Sequence, residues 1–115
     1  MFKDNYARFA KIINIVDGDT FDAVVELGYH VSILERFRIL DINTPEVYGI
    51  EKEAGLRSSA WVKERIWNRE CTIVSRKTDS FRRWLADVYI VEEDGTQWNL
   101  AVELLKHGMA EVYKK

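Results

Sequence analysis

Hydrophobic and polar residues alternate through the first 40 positions of the chain, a pattern typical of half-buried strands. An apolar run over residues 9–16 predicts a first strand. Alternation over residues 21–27 predicts a second strand, and a period of two over residues 31–39 predicts a third. Asp17-Gly18 and Gly28-Tyr29 have the composition of turns, so we expect three consecutive strands joined by short turns.

The apolar period becomes helical after residue 52. One stripe of apolar and small residues recurs at helical spacing and predicts a helix over residues 53–68. The preceding segment, residues 41–52, holds the only proline and is predicted as a loop. Two further strands are predicted over residues 70–77 and 84–92, and Asp94-Gly95 then turns the chain.

A second helix is predicted over residues 99–107, with Asn99 as its N-cap and Gly108 just beyond its end. Leu104 and Leu105 are expected to face the core. The resulting order of three strands, a helix, two strands and a helix indicates a mainly β fold of the α+β class. We expect a small five-stranded barrel of the oligonucleotide-binding type with helices packed outside, because closure removes exposed strand edges.

The length of 115 residues predicts a single domain that spans residues 1–115. Hydrophobic residues make up 47% of the chain and charged residues 31%, which indicates a globular fold rather than disorder. The net charge of −2 excludes a globally basic nucleic-acid binder. Any attraction for a polyanion therefore has to come from local charges or from a bound cation.

Several features predict a cytoplasmic protein. Cys71 is the only cysteine, which excludes an intrachain disulfide and fits a reducing compartment. Residues 1–10 mix charged and aromatic side chains and lack the continuous apolar segment of a signal peptide. No window is apolar over the length that spans a membrane, so we expect no membrane partner.

Four short segments carry chemistry that suits hydrolysis of a phosphodiester. They supply oxygen ligands for a metal, a carboxylate placed as a base, and two guanidinium groups. The transition state of this reaction gains negative charge, so it needs a cation, rigid donors and an oriented water. The segments are Asp17-Gly18-Asp19-Thr20, Arg38, Asn43-Thr44-Pro45-Glu46 and Arg83.

Each segment taken alone has a simpler interpretation. Residues 17–20 can be a hairpin turn, and Glu46 can be a solvated loop residue. The two arginines can be surface residues paired with Glu35 or Asp87, and exposed pairs of this kind contribute little stability. The hypothesis of a catalytic site therefore depends on the joint order of the four segments.

That joint order resembles the staphylococcal-nuclease (thermonuclease) family over about residues 12–113. Gly55, Ser59 and Ala60 in the first predicted helix fit the same pattern, and so does Gly108-Met109-Ala110. The resemblance implies a five-stranded barrel of the oligonucleotide-binding type with two to three helices. It also implies a calcium-dependent endonuclease that hydrolyses single-stranded or frayed DNA and RNA and leaves 3′-phosphate ends.

The resemblance assigns catalytic roles to Arg38, Glu46 and Arg83. Glu46 resembles the family's general base, which orients or deprotonates the attacking water. Both arginines are expected to stabilise the pentacoordinate phosphate, since a guanidinium binds two phosphate oxygens and stays charged. Arg83 is also expected to help the leaving oxygen.

The resemblance assigns calcium ligation to Asp19, Asn43 and the backbone carbonyl of Thr44, because calcium takes several hard oxygen ligands. Asn43 departs from the family pattern, since the best-known member has aspartate there. The amide keeps an oxygen ligand but carries no charge, so we expect weaker calcium binding. Asp41 is a substitute ligand if residues 41–43 are extended, because its side chain then lies on the same side as that of Asn43.

Substrate binding is assigned by the resemblance to Phe81, Arg82 and Tyr113. Phe81 replaces a frequent tyrosine and keeps a stacking face without the hydroxyl. Arg82 replaces a common glycine and adds positive charge. Tyr113 matches a family tyrosine that packs near the nucleotide.

Three functions stay open. The first is the calcium-dependent nuclease, which the combination of Glu46 with the two arginines favours. The second is a nucleic-acid-binding module that has kept the fold and lost the chemistry, which Asn43, Phe81 and the net negative charge favour. The third is a structural or interaction protein built on the same barrel. We expect a monomer, with a dimer as the alternative.

Overall fold

The structure is a computed structural model that describes residues 7–46, 49–79 and 82–113. In chain order its elements are β1 (Ala7–Asp17), β2 (Thr20–Gly28), β3 (Val31–Ile39), β4 (Ile42–Asn43), a 3-10 turn (Gly49–Glu51), α1 (Lys52–Ile66), β5 (Glu70–Thr78), β6 (Trp84–Val91), β7 (Gln97–Asn99), α2 (Leu100–Lys106) and β8 (Glu111–Val112).

Five of these strands close into a barrel. The antiparallel order is β3-β2-β1-β5-β6, and a parallel pairing between β3 and β6 closes the ring. In this closing seam Phe37 lies opposite Trp84, and Ile39 lies opposite Ala86. The expected mainly β fold of the α+β class, with a five-stranded oligonucleotide-binding-type barrel, is therefore confirmed.

The three remaining strands lie outside the barrel and were not predicted. β7 extends the sheet beyond β6, and β4 pairs with β8 in a separate two-stranded ribbon. Each of them has two or three residues, which is too short for a periodic pattern to be recognised. The β4–β8 ribbon matters for function because it fixes the predicted loop that starts at residue 41.

The core fills the barrel and extends under both helices. Phe21 and Phe37 stack inside it with ring centroids 5.8 Å apart. α1 buries Trp61, Val62 and Ile66, three members of its predicted stripe. Neither helix in the described part of the chain is long and apolar enough to cross a membrane.

α2 confirms the predicted cap and corrects one core residue. The side chain of Asn99 accepts a hydrogen bond from the Val102 N–H at 3.1 Å, as expected for an N-cap. Leu104 is fully buried, whereas Leu105 is 37% exposed. The prediction that Leu105 faces the core is wrong, because one step along a helix turns the side chain by about 100° away from the buried stripe.

The β2–β3 hairpin extends past the end of the barrel. Val25 is buried, but Leu27 and Val31, which continue the same inward-facing row, are exposed. The alternating pattern therefore identified the correct face of both strands and overestimated how far the core reaches along them.

Candidate active site

The predicted catalytic segments converge on one cleft of about 600 Å³ on the outer face of the barrel. Thr20 and Arg38 reach it because their strand neighbours Phe21, Phe37 and Ile39 point into the core. Among the described residues, seven with predicted site roles line the cleft: Asp19, Arg38, Asn43, Thr44, Glu46, Arg83 and Tyr113.

Two predicted substrate-binding residues are not among them. Arg82 is exposed in a left-handed backbone conformation, φ 63°, and lies outside the cleft lining that the described residues form. Phe81 falls outside the described residues. The cleft also contains Arg36, a strand residue for which no site role was predicted.

Asp19 is carried by the tight turn between β1 and β2. Asp17 pairs with Thr20, so Gly18 and Asp19 form the turn itself, one residue later than predicted. The Asp19 N–H donates to Asp17 Oδ1 at 3.1 Å, and the Ile39 N–H donates to the Asp19 carbonyl at 2.9 Å. These bonds fix the backbone of Asp19, whose side chain is 10% exposed and lines the cleft.

Gly18 allows this turn to pack against the loop that follows β4. A Cβ built at Gly18 would lie 2.8 Å from Thr44 Cγ2 and 2.9 Å from Thr44 Cβ. Any larger residue would therefore push the loop away from the turn. The same contact places the Thr44 N–H within 3.2 Å of Asp19 Oδ2, to which it donates a hydrogen bond.

The charges around Asp19 and Asp17 shift the two carboxyl groups in opposite directions. Burial opposes ionisation of Asp19, but hydrogen bonds from Asp17 and Thr44 and the nearby charge of Arg38 lower its pKa below the usual value. Burial, the hydrogen bond shared with Asp19 and the charge of Asp19 raise the pKa of Asp17 to about 6. Asp19 therefore ionises first, and Asp17 loses its proton only as the pH rises through about 6.

Arg38 is anchored by several acceptors. Its Nη1 donates to the carbonyls of Ile39 at 2.8 Å and Ile42 at 3.0 Å. Its Nη2 donates to Asn43 Oδ1 and lies 3.4 Å from Asp19 Oδ2. The Tyr113 ring centroid is 5.9 Å from its Cζ. The ion-pair partner of Arg38 is thus Asp19, and the simpler interpretation with Glu35 is not found in the described part of the chain.

Arg83 is held from two sides. Its Nε and Nη2 lie 2.8 and 2.7 Å from Asp79 Oδ2, and its backbone N–H donates to Asp79 Oδ1 at 3.0 Å. Its Nη1 donates to Thr20 Oγ1 at 3.3 Å, while Thr20 Oγ1 donates to Asp19 Oδ1 at 3.1 Å. One hydroxyl therefore joins Arg83 to Asp19. Asp87, the simpler partner considered for Arg83, instead pairs with Arg76 at 3.0 Å.

Glu46 lies at the exposed end of the same cleft. Its backbone N–H donates to Glu51 Oε2 at 2.9 Å, which ties the loop to the start of α1. Upstream, Asn43 pairs with Glu111, and the Tyr113 N–H donates to the Asp41 carbonyl at 2.9 Å. These contacts set the path of the loop and leave the Glu46 side chain open to solvent.

The expectation that Asp41 substitutes as a metal ligand is wrong. It required an extended backbone, whereas Asp41 has a left-handed conformation with φ 64°. Asp41 occupies a turn between β3 and β4 and is absent from the cleft lining within the described residues. Asp41 therefore does not replace the carboxylate that the family pattern has at the position of Asn43.

The donor atoms suit calcium in chemical type but form a sparse set. Asp19 contributes a carboxylate, Asn43 an amide oxygen and Thr44 a backbone carbonyl, all of them hard oxygens. The Arg38 guanidinium now spans Asp19 and Asn43, so a metal ion has to share that space with it. Within the described residues no group of three acidic, histidine or cysteine side chains is arranged around a common metal position.

A larger surface concavity of about 1000 Å³ lies elsewhere, beside the β6–β7 turn. Its lining includes Glu70, Glu92, Glu93 and Asp94, with Arg69 paired to Glu92 at 2.7 Å. This acidic surface repels a polyanion. The smaller cleft, where two arginines and a buried carboxylate meet, is therefore the candidate active site.

No curated protein matches this sequence. The sequence model of the family described as staphylococcal nuclease homologue matches residues 36–115. That match includes Arg38, Glu46 and Arg83 and begins after the Asp19 turn. Since it covers more than two thirds of the chain and the barrel agrees with the expected fold, the protein belongs to the staphylococcal nuclease homologue family.

Proposed function

We propose that the protein is a calcium-dependent endonuclease that hydrolyses phosphodiester bonds in DNA and RNA and leaves 3′-phosphate ends. The observation that carries the proposal is the linked set Arg38, Asp19, Thr20 and Arg83, which faces one cleft together with Glu46. Two fixed guanidinium groups opposite a solvent-accessible carboxylate supply what hydrolysis of an anionic ester needs.

Arg38 and Arg83 bind the non-bridging oxygens of the scissile phosphate. Both side chains are already fixed by protein acceptors, so little reorganisation is needed when negative charge develops on those oxygens. Each guanidinium has five N–H donors in a planar fork, a geometry that matches the oxygens of a phosphate. Arg83 also donates to the departing 5′ oxygen.

Glu46 accepts a proton from the attacking water and orients it. Its exposed position in the cleft gives water access. A carboxylate between cations is a weak base, so alignment of the water contributes more than basicity.

Asp19, the Asn43 amide oxygen and the Thr44 carbonyl would hold the calcium ion. When bound, the ion would neutralise part of the charge on the phosphate. Only one of these three ligands is charged, so we expect a low affinity for calcium. Tyr113, Arg82 and Phe81 contact the nucleotides that flank the cleaved bond, and single-stranded or frayed strands fit best because their bases are free to stack.

Cleavage of a single-stranded DNA oligonucleotide tests the proposal. We expect cleavage with calcium, little with magnesium and none with a chelator. Arg83→Met should lower kcat by about a hundredfold or more, as loss of a preorganised donor to a developing charge does elsewhere. Arg76→Met, which removes a paired arginine outside the cleft lining, is the matched control. Cleavage that persists with chelator, or an Arg83→Met variant with full activity, contradicts the assignment.

A second candidate, a binding module without turnover, is favoured by the Arg38–Asn43 hydrogen bond. This bond lies where the calcium ligands meet, so Arg38 can take the place of a metal as the local cation. Titration with a nucleotide 3′,5′-bisphosphate, with and without calcium, separates the two. Metal-independent binding without any cleavage of DNA or RNA favours the module.

A further inference from the structure

Arg36 lines the same cleft as Arg38 and leaves β3 on the same face, two residues earlier. Two residues along a strand span about 6.6 Å. That spacing is comparable with the separation of neighbouring phosphates in an extended nucleic-acid strand. We infer that Arg36 binds the phosphate next to the scissile one and so makes the site selective for polynucleotides over single phosphodiesters. This inference rests on the proposed function.

The Arg36 side chain is held in a defined orientation. Its Nε donates to Asp22 Oδ1 at 2.7 Å and its Nη2 donates to Asp22 Oδ2 at 3.2 Å, which fixes the plane of the guanidinium. Asp22 is positioned in turn by Asn14, whose Nδ2 donates to Asp22 Oδ2 at 3.0 Å. Since β1, β2 and β3 each supply one of these residues, the arrangement is built on strands rather than on a mobile loop.

Arg36 retains donors for a ligand. Two of its five N–H groups are used by Asp22, and the described residues supply no other hydrogen-bond acceptor to its side chain. The side chain of Arg36 is 50% exposed, whereas that of Asp22 is 17% exposed. The guanidinium is therefore the more accessible member of the pair, and a phosphate in the cleft that Arg36 lines can reach it.

A purely structural role of Arg36 predicts a different effect of its substitution on activity. A cross-strand ion pair such as Arg36–Asp22 stabilises two neighbouring strands even when no ligand binds. In that case its loss changes stability and affects all substrates equally. A phosphate subsite instead makes the loss depend on whether the substrate has a neighbouring phosphate.

Arg76 provides a matched control for charge and pairing. It forms a similar cross-strand ion pair, with Asp87 at 3.0 Å, and its side chain is 60% exposed. Among the described residues it is not part of the cleft lining. Arg36→Met and Arg76→Met therefore remove the same charge and the same kind of pair, and only the first variant alters the inferred subsite.

The test compares kcat/KM for two substrates. One is a dinucleoside monophosphate, which contains only the scissile phosphodiester, and the other is a single-stranded hexanucleotide. Arg36→Met should lower kcat/KM for the hexanucleotide by about tenfold, the effect of losing one charge-assisted contact, and leave the dinucleotide unchanged. Arg36→Lys should recover only part of the loss, because it lacks the planar fork. Equal losses on both substrates, or no loss on either, overturn the inference.

Equilibrium binding of the hexanucleotide gives a second readout that does not need hydrolysis. The slope of log K against log salt should become shallower by about 0.7 in Arg36→Met and stay unchanged in Arg76→Met. A shallower slope in a protein that cleaves nothing supports the subsite and rejects the proposed hydrolysis. Normal cleavage with an unchanged slope rejects the subsite alone. If thermal unfolding shows that Arg36→Met does not fold, Arg36→Gln replaces it in both the substrate comparison and the salt titration, with the same expected results.

Discussion

The two walls of the cleft are held in different ways. In the strand wall, Thr20 and the adjoining Asp19 are buried, Arg38 is half-buried, and the side chains are bonded on several sides. The loop wall, residues 43–46, is more exposed and is secured by a two-residue ribbon and single hydrogen bonds. If the proposed function is correct, the strand wall fixes cationic charge in advance and the loop wall adjusts around the water and the metal ion.

Arg38→Met is expected to have the largest effect, because it removes the centre of the strand wall. Activity should fall by about a thousandfold through loss of charge stabilisation. Stability should fall by about 3 kcal/mol, since Asp19 loses the cation that offsets its burial. Turnover assays and urea unfolding measure the two. A variant that loses activity at unchanged stability would show that Arg38 does not organise the wall.

Glu46→Gln tests the loop wall and should separate activity from stability. We expect turnover to fall by about a hundredfold, as for loss of a general base. The free energy of unfolding should stay within about 0.5 kcal/mol, because the side chain is exposed. Rates under single-turnover conditions and a thermal unfolding curve provide the comparison. Unchanged turnover removes Glu46 from the mechanism.

Gly18→Ala tests the contact between the two walls. The added methyl would meet Thr44 at 2.8 Å, so the loop has to move away from the turn. We expect a stability loss of about 1–3 kcal/mol, typical of overpacking, and weaker calcium activation. Calcium titration of activity measures the second effect. If calcium activation is the same as in wild type, the walls act independently.

Asn43→Asp tests whether the loop wall contributes to calcium binding. A second carboxylate beside Asp19 is expected to lower the calcium concentration for half-maximal activity by about tenfold. The new charge also pairs with Arg38, which limits the gain. Asn43→Ser is a control that shortens the side chain without adding charge. A half-maximal concentration that does not change places the metal elsewhere.

The smallest expected effect is a pH dependence of stability from Asp17. The folded-state pKa of Asp17, about 6, lies above the ordinary value of 3.8 for this carboxyl group, so the folded state binds more protons between these two pH values. Stability from this group is present below about pH 4 and is lost as pH rises through 6. Asp17→Asn should therefore gain about 1 kcal/mol over wild type between pH 4 and pH 7, allowing for partial exposure. Urea unfolding at several pH values checks this, and a constant difference contradicts it.

Much of the fold could be predicted because its long elements have clear periods. β2 and β3 follow a period of two, α1 follows a period of 3.6, β1 contains an apolar run, and Asn99 gives a clear cap. The parallel seam between β3 and β6 could not be predicted, since pairing between distant strands leaves no local pattern. The extent of the core could not be predicted either. Leu27 lies on the face of β2 that the alternating pattern predicted to be buried, but the core ends before it.

The candidate site was predictable as a set of residues but not as a network. The order of the motifs identified the residues that meet in the cleft. It gave no sign that Arg38 would bond to Asn43, or that the left-handed turn at Asp41 would move that carboxylate out of reach. Arg36 was missed because a charged residue on an outward strand face has the same pattern whether it meets water or a ligand.

The short seam that closes the barrel has a consequence for inactivation by heat. Three residue pairs join β3 to β6, and Arg38 belongs to one of them, opposite Leu85. Arg83 immediately precedes β6, so both arginines depend on this seam for their separation. Local opening of the seam between β3 and β6 would separate the two arginines, while the antiparallel strand pairs on the other side of the barrel stay hydrogen-bonded. The Leu40 amide, which donates to the Ala86 carbonyl at 3.0 Å, would then exchange its hydrogen early. We expect the proposed activity to be lost on warming before the chain as a whole unfolds.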